Sequence, residues 1–257
     1  MKKMLIAATM MASMVLNAQV VKQDLLNGYA EGDVLEKGAY TSKEDAPREG
    51  VWMGAFTSKE ESAALPSPTI TAGVEYTGYP EKGVAIQLGF SNGEKGSRHS
   101  CCALGENKKK GVYYLCVVVR MDKVGNTGDS ELFGLTPSRT GGAGKVRAMI
   151  VRDEENKKVM HWGASLGKNV VMSPKAFAVG ETVLVVLKVD YTKNSVSLFV
   201  NPDLSAAEPE ALVSVNSDEE NMLSKWPIRT LTLRNRNAYQ GAVGSFRLTN
   251  SWEGIRN

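Results

Sequence analysis

From about residue 69 to the C-terminus, short apolar runs and period-two alternations recur, each ended by Gly, Asn, Asp or Pro. That rhythm confines the chain to antiparallel β-structure, because several short strands without interleaved helices can bury their apolar faces only in a sandwich or barrel. The clearest strands are expected at 69–76, 84–90, 112–120, 145–152, 182–190, 195–200, 228–234 and 242–249. In 195–200, Val196, Leu198 and Val200 face one way and Ser195 and Ser197 the other, as in a sheet with one wetted face. The segment 182–189 is almost continuously apolar, so it is expected to be a central strand covered on both sides, and the short polar link 190–194 makes 182–200 a hairpin. Helix is scarce. Ser217 with Glu220 forms a capping box and Pro227 stops the segment, which predicts a short helix over 218–225. Ser58 with Glu61 predicts a single turn before Pro66.

Residues 1–18 carry Lys2 and Lys3, a charge-free stretch from Met4 to Leu16, and Ala18 before Gln19. This three-part order is that of a cleavable secretory signal, and the apolar stretch is too short for a membrane span. The expectation is therefore an exported protein, secreted, periplasmic or at the cell surface, with one domain over 19–257. Of the 257 residues, 42% are apolar, which suffices for a sizeable core. There are 31 basic against 28 acidic residues, and removing Lys2 and Lys3 leaves 29 against 28. A near-neutral balance gives no reason to expect a nucleic-acid or anionic-membrane partner. The 25 glycines, about a tenth of the chain, fit many tight turns.

Cys101, Cys102 and Cys116 flank a polar loop that contains Lys108, Lys109 and Lys110. If the segments on either side are neighbouring strands, one of the vicinal pair can bridge to Cys116, with Cys102–Cys116 as the pairing considered. A metal site from His99, Cys101, Cys102 and Cys116 is a second reading, opposed by strand alternation, which sends Cys101 and Cys102 to opposite faces. Buried free thiols are the third, and the sequence leaves all three open.

Several segments carry a family likeness. They are Asn27-Gly-Tyr-Ala-Glu-Gly-Asp-Val-Leu35, Trp52-Met-Gly-Ala-Phe56, Val74-Glu-Tyr-Thr-Gly-Tyr-Pro80, Val183-Leu-Val-Val-Leu-Lys-Val-Asp-Tyr191, Val196-Ser-Leu-Phe-Val-Asn-Pro202, Glu208-Pro209 and Phe246-Arg-Leu-Thr-Asn-Ser-Trp252. Their order resembles the concanavalin A-like, laminin-G-like jelly-roll domains of exported bacterial proteins. The resemblance implies an all-β, two-sheet antiparallel jelly-roll sandwich with one or two short helices. It also implies a concave sheet surface that many members use for glycans, so a polysaccharide or glycoconjugate is the expected partner.

Hydrolases of this fold place two or three carboxylates on one strand, and Glu31-Gly-Asp-Val-Leu-Glu36 has that spacing. Gly32 weakens such a strand, and the family order puts the segment in a turn, so a catalytic centre is not expected. Asp122, Asn126 and Asp129 share one polar loop but lack the alternating order of a dedicated calcium site, so calcium is a secondary expectation and no cofactor is the primary one. His161 beside Trp162 is a candidate sugar contact. Sugar binding wants aromatic faces plus planar polar side chains. On that basis Trp162, Trp226, Arg234, Asn235, Arg236, Asn237 and Tyr239 are the expected ligand contacts, with Arg234 to Asn237 read as a loop after a strand. Trp52 and Trp252 are expected in the core or capping a sheet. The rival reading is a structural or adhesive surface protein that binds another protein.

Overall fold

The computed structural model describes residues 19–90, 95–217, 219 and 222–257. The expected leader over 1–18 lies outside the described residues, as do three positions of the expected helix over 218–225. The described remainder of that helix is one 3-10 turn, Leu223–Lys225. The turn expected near Ser58 is present as α1 (Glu60–Ala63).

Among the described residues fifteen strands build two sheets whose paired strands are all antiparallel. The eight-stranded sheet runs β13 (Val213–Asn216), β12 (Ser195–Val200), β11 (Thr182–Asp190), β6 (Val112–Val124), β15 (Tyr239–Thr249), β4 (Ala85–Leu88), β3 (Thr69–Thr71), with β1 (Val20–Gln23) also paired to β15. The seven-stranded sheet runs β10 (Asn169–Ala178), β9 (Val159–Leu166), β8 (Val146–Arg152), β7 (Ser130–Thr136), β14 (Ile228–Arg236), β5 (Ser97–Lys108), β2 (Trp52–Gly54). Strands β5 and β6 are joined by a short turn yet lie in opposite sheets, and so do β14 and β15. The architecture is an all-β jelly-roll sandwich.

Alternation sorts the side chains. Val183, Val185, Leu187 and Val189 of β11 enter the core between the sheets, together with Val196 and Leu198 of β12, Leu231 and Leu233 of β14, and Trp52. The other face of the eight-stranded sheet is covered as well. There Leu184, Val186, Cys116, Val118 and Phe199 pack under Val74, Tyr79, Leu204, Trp252 and Ile255, all supplied by loops and the C-terminal segment. The expectation that β11 is covered on both sides is met. The wetted face expected for β12 is only partly so, because Phe199 lies 5.2 Å from the Trp252 ring while Ser197 shares a hydrogen bond with Ser214. The strand expected over 69–76 is cut to three residues, since Val74 and Tyr79 leave the sheet to cover it. Gly73 makes that departure feasible: a Cβ there would stand 1.7 Å from the Gly83 carbonyl oxygen.

Arg247 ties this cover down. Its Nε donates to Glu81 Oε1 at 2.7 Å and its Nη1 to the Gly254 carbonyl at 2.9 Å, and the Arg247 and Glu81 side chains are 6% and 7% exposed. Breaking a buried pair of this kind costs about 3–5 kcal/mol, because one charge is left without a partner.

The cysteine readings resolve here. Cys102 faces the inter-sheet core, Cys116 the outside of the eight-stranded sheet, and Cys101 a small cluster with Tyr40 and Met53 outside the seven-stranded sheet. The Cys102–Cys116 bridge is therefore corrected: β5 and β6 are not sheet neighbours, and all three thiols are free and buried. Burial pushes the Cys102 thiol up to about 12 and raises Cys101 and Cys116 as well, which suppresses the reactive thiolate. Thiol titration with a chromogenic disulfide is expected to find none reactive in the folded protein and three after denaturation without reductant; a single reactive thiol would contradict the structure.

Candidate functional site

Because both faces of the eight-stranded sheet are buried, attention falls on the outside of the seven-stranded one. Register places Cys101, Thr232, Gly134, Arg147 and Ser165 side by side across five strands, and His99 opposite Arg234 in the next row. The β7–β8 loop, residues 137–145, folds over part of this face. Thr230 Oγ1 donates to the Ser138 carbonyl at 2.8 Å and Thr232 Oγ1 to that of Gly142 at 2.7 Å. Glycine is needed for this approach: Gly141 has a φ of 76° and a Cβ there would lie 2.6 Å from Cys101 Sγ.

The loop stops where Glu131 begins. Glu131 lies on β7 beside a register shift that lets it share the outer face with Met149 of β8. Its side chain is 2% exposed; Oε1 accepts the Gly144 N–H at 2.9 Å and Oε2 stands 3.7 Å from His99 Nε2. A buried carboxylate needs such partners to stay in place. Arg234 Nη2 donates to Ser97 Oγ at 3.1 Å, and Arg236 Nη1 to Ser130 Oγ at 2.6 Å. The buried Nε of each arginine and the His99 Nε2 have no hydrogen-bond partner. Beside His99, a cavity of about 180 Å³ is lined by Tyr40, Phe56, Ser97, Arg98 and Gly142 among others. Among the described residues the arrangement gathers two guanidiniums, an imidazole and an aromatic edge around the Glu131 carboxylate.

Of the expected contacts, Arg234 and Arg236 reach this region, but as members of β14 rather than of a loop. Three expectations are corrected. Trp162 is 0% exposed on the core side of β9, Tyr239 is 0% exposed with its hydroxyl donating to the Glu131 carbonyl at 2.9 Å, and Asn235 is 1% exposed, accepting the Gly89 N–H at 2.7 Å. In each case strand alternation turns the side chain inward. Asn237 is exposed in the β14–β15 turn. Trp226 is half-buried against Gly167 at the β9–β10 turn, and the six residues of extended β14 between Ile228 and Arg234 put it about 20 Å away. His161 is engaged by Asp153 Oδ2 at 3.1 Å and the Lys175 carbonyl at 3.1 Å, and that histidine contact holds the Asp153 carboxyl below the usual range. Trp52 lies in the core and Trp252 caps the eight-stranded sheet, as expected.

Sequence reading missed Glu131 and His99 as a pair. The available signal was an acid placed directly before the apolar run Leu132, Phe133, Gly134, Leu135.

The carboxylate triplet behaves differently. Glu31 is exposed in a turn, and Asp33 accepts the Ala30 N–H at 2.9 Å. Glu36 is buried in an ion pair with Arg98 and accepts a hydrogen bond from Ser100 Oγ at 2.6 Å; burial pushes its carboxyl up. In the loop considered for calcium, Asp122 pairs with Arg120 at 3.1 Å and Asn126 Nδ2 donates to the Gly128 and Ile150 carbonyls. Among the described residues no group of three or more His, Cys, Asp or Glu is placed to hold a metal ion.

No protein-family model and no curated protein sequence matches the chain. Among solved structures, one described under endo-acting O-glycanases of the human gut microbiota that initiate mucin breakdown is 12% identical, with a TM-score of 0.51, over 91% of this chain and 99% of that one. That likeness agrees with the all-β jelly-roll sandwich described above. The sandwich is also similar to a Bauhinia forficata lectin in complex with GalNAc, at 13% identity and a TM-score of 0.42, over 80% of this chain and 99% of that one. A Trypanosoma rangeli sialidase mutant is matched at 12% identity and a TM-score of 0.41 over 80% of this chain, which spans 32% of the sialidase. No helix among the described residues is long and apolar enough to cross a membrane.

If Glu36 is a structural ion-pair partner, Glu36→Ala is expected to lose about 3–5 kcal/mol in denaturant unfolding by stranding Arg98, while exposed Glu31→Gln stays within about 0.5 kcal/mol. Equal, small effects would contradict the assignment.

Proposed function

We propose that this protein is an exported, non-catalytic glycan-binding protein, and that the ligand lies on the outer face of the seven-stranded sheet beside the 137–145 loop. One observation carries the reading: Arg234, Arg236 and His99 lie half-buried together on the outer side of the seven-stranded sheet, and among the described residues the two guanidiniums are hydrogen-bonded to serine hydroxyls rather than paired with a carboxylate. Sugar hydroxyls or acid groups are acceptors of the right kind for their remaining N–H donors. Phe56 and Tyr40 add an aromatic edge on which the apolar side of a pyranose can rest. The jelly-roll fold by itself does not decide an activity.

Among the described residues the face holds one fixed carboxylate, Glu131, and retaining glycoside cleavage uses two about 5–5.5 Å apart. Binding is therefore preferred over hydrolysis. The site is shallow, so affinity is expected in the micromolar-to-millimolar range, about 4–8 kcal/mol.

A glycan array probed with the full chain tests this. Binding to at least one polysaccharide class is expected, weakened about tenfold by His99→Ala or Phe56→Ala, corresponding to roughly 1.4 kcal/mol per contact. An array blank across polysaccharides would overturn the reading in favour of a protein ligand, and reducing ends released from a bound polymer would overturn its non-catalytic part.

A further inference from the structure

Arginine pairing on this molecule is uneven. Among the described residues Arg98, Arg120 and Arg247 each meet a carboxylate. The other described arginines do not, and three of these lie together on or beside the outer face of the seven-stranded sheet. Arg234 donates to Ser97 Oγ, Arg236 to Ser130 Oγ, and Arg147 to Ser165 Oγ at 2.6 Å and the Gly167 carbonyl at 2.6 Å. Every one of these acceptors is neutral. Such bonds aim a guanidinium without cancelling its charge.

The one buried acid of the face does not compensate them. Glu131 is occupied by the Gly144 N–H and faces His99 at 3.7 Å, and no ion pair joins it to an arginine. Among the described residues the face thus keeps a cationic excess, with Arg234 set opposite His99 in strand register. A guanidinium with free donors in one plane matches an anionic group with two oxygens, which it can bind bidentately. A neutral sugar would leave that charge unanswered.

We infer that the ligand is an acidic polysaccharide, with a carboxylate or sulfate of the chain seated on Arg234 and the neighbouring Arg236 and His99 reading the same or the next residue. This rests on the glycan-binding reading above and goes further by fixing the charge of the ligand. The competing basic feature is the exposed run Lys108, Lys109 and Lys110 at the β5–β6 turn, which attracts any polyanion without a built site.

The test compares polygalacturonate with its carboxyl-reduced neutral counterpart, and dextran sulfate with dextran, by titration calorimetry on the full chain. Tighter binding of either acidic polymer by at least about tenfold is expected, as one charge-assisted hydrogen bond warrants. Which of the two binds tells carboxylate from sulfate. Arg234→Ala should lose at least that factor and Arg234→Lys only part of it, because lysine keeps the charge but not the planar fork. The triple substitution Lys108→Ala, Lys109→Ala, Lys110→Ala should change little. Should Arg234→Ala not fold, Arg234→Gln with an unchanged melting curve takes its place. Equal binding of acidic and neutral polymers would overturn the inference and leave the glycan reading standing, whereas no binding of any polymer would remove both. Loss of binding in the lysine variant with Arg234→Ala unaffected would also overturn it.

Discussion

Burial of apolar sheet surface is shared unequally between the two layers of this sandwich, and the rest of the structure depends on that inequality. Both sheets must hide their inner faces, and burial of a large aliphatic or aromatic side chain is worth about 1.5–3 kcal/mol. The eight-stranded sheet hides its outer face as well, under Tyr79, Leu204, Trp252 and Ile255. That sheet is committed twice. The outer face of the seven-stranded sheet is covered in part by the 137–145 loop, and beside that loop a buried acid, a half-buried histidine and two half-buried arginines gather.

The same inequality explains the polar placements. Arg247 sits outside the eight-stranded sheet but beneath a cover, so its charge must be met at once, and Glu81 meets it. Arg234 and Arg236 are half-buried on the other sheet, where among the described residues serine hydroxyls hold them without an ion pair; the proposed ligand is what would meet their charge. Between these cases stands the 137–145 loop. Its glycines let the backbone lie against Cys101 and Glu131, closing one half of the face and bounding the other. Positioning of the site is thus done by a tight loop on a rigid sheet, a division of labour common in binding proteins.

The sequence made the architecture legible where strands obey a simple period. β11, β12 and the ends of β6, β8, β14 and β15 fall within a few residues of their expected places. It was less informative where burial is complete or polar residues intrude. β7 is buried at all seven positions and so shows no alternation, and Glu131 at its head reads as a loop residue. β9 and β10 are interrupted by Gly163 and Pro174, which look like punctuation but lie within paired strands. The site suffered most because its face was misassigned: reading 234–237 as a loop made Asn235 a contact, whereas the strand continues to Arg236 and turns Asn235 inward. Trp162 and Tyr239 have the aromatic faces a sugar contact needs, and the same apolar surface is why the core claims them. Long-range register, which alone places His99 opposite Arg234 and near Glu131, is not encoded in local pattern.

The central claim is that ligand meets this protein on the outside of the seven-stranded sheet. Hydrogen–deuterium exchange of the full chain, with and without a bound acidic polysaccharide, reads that location directly. Protection is expected in peptides spanning 97–101, 130–147 and 230–236, with the 182–200 hairpin unchanged. Protection confined to that hairpin or to the 201–212 loop would contradict the account.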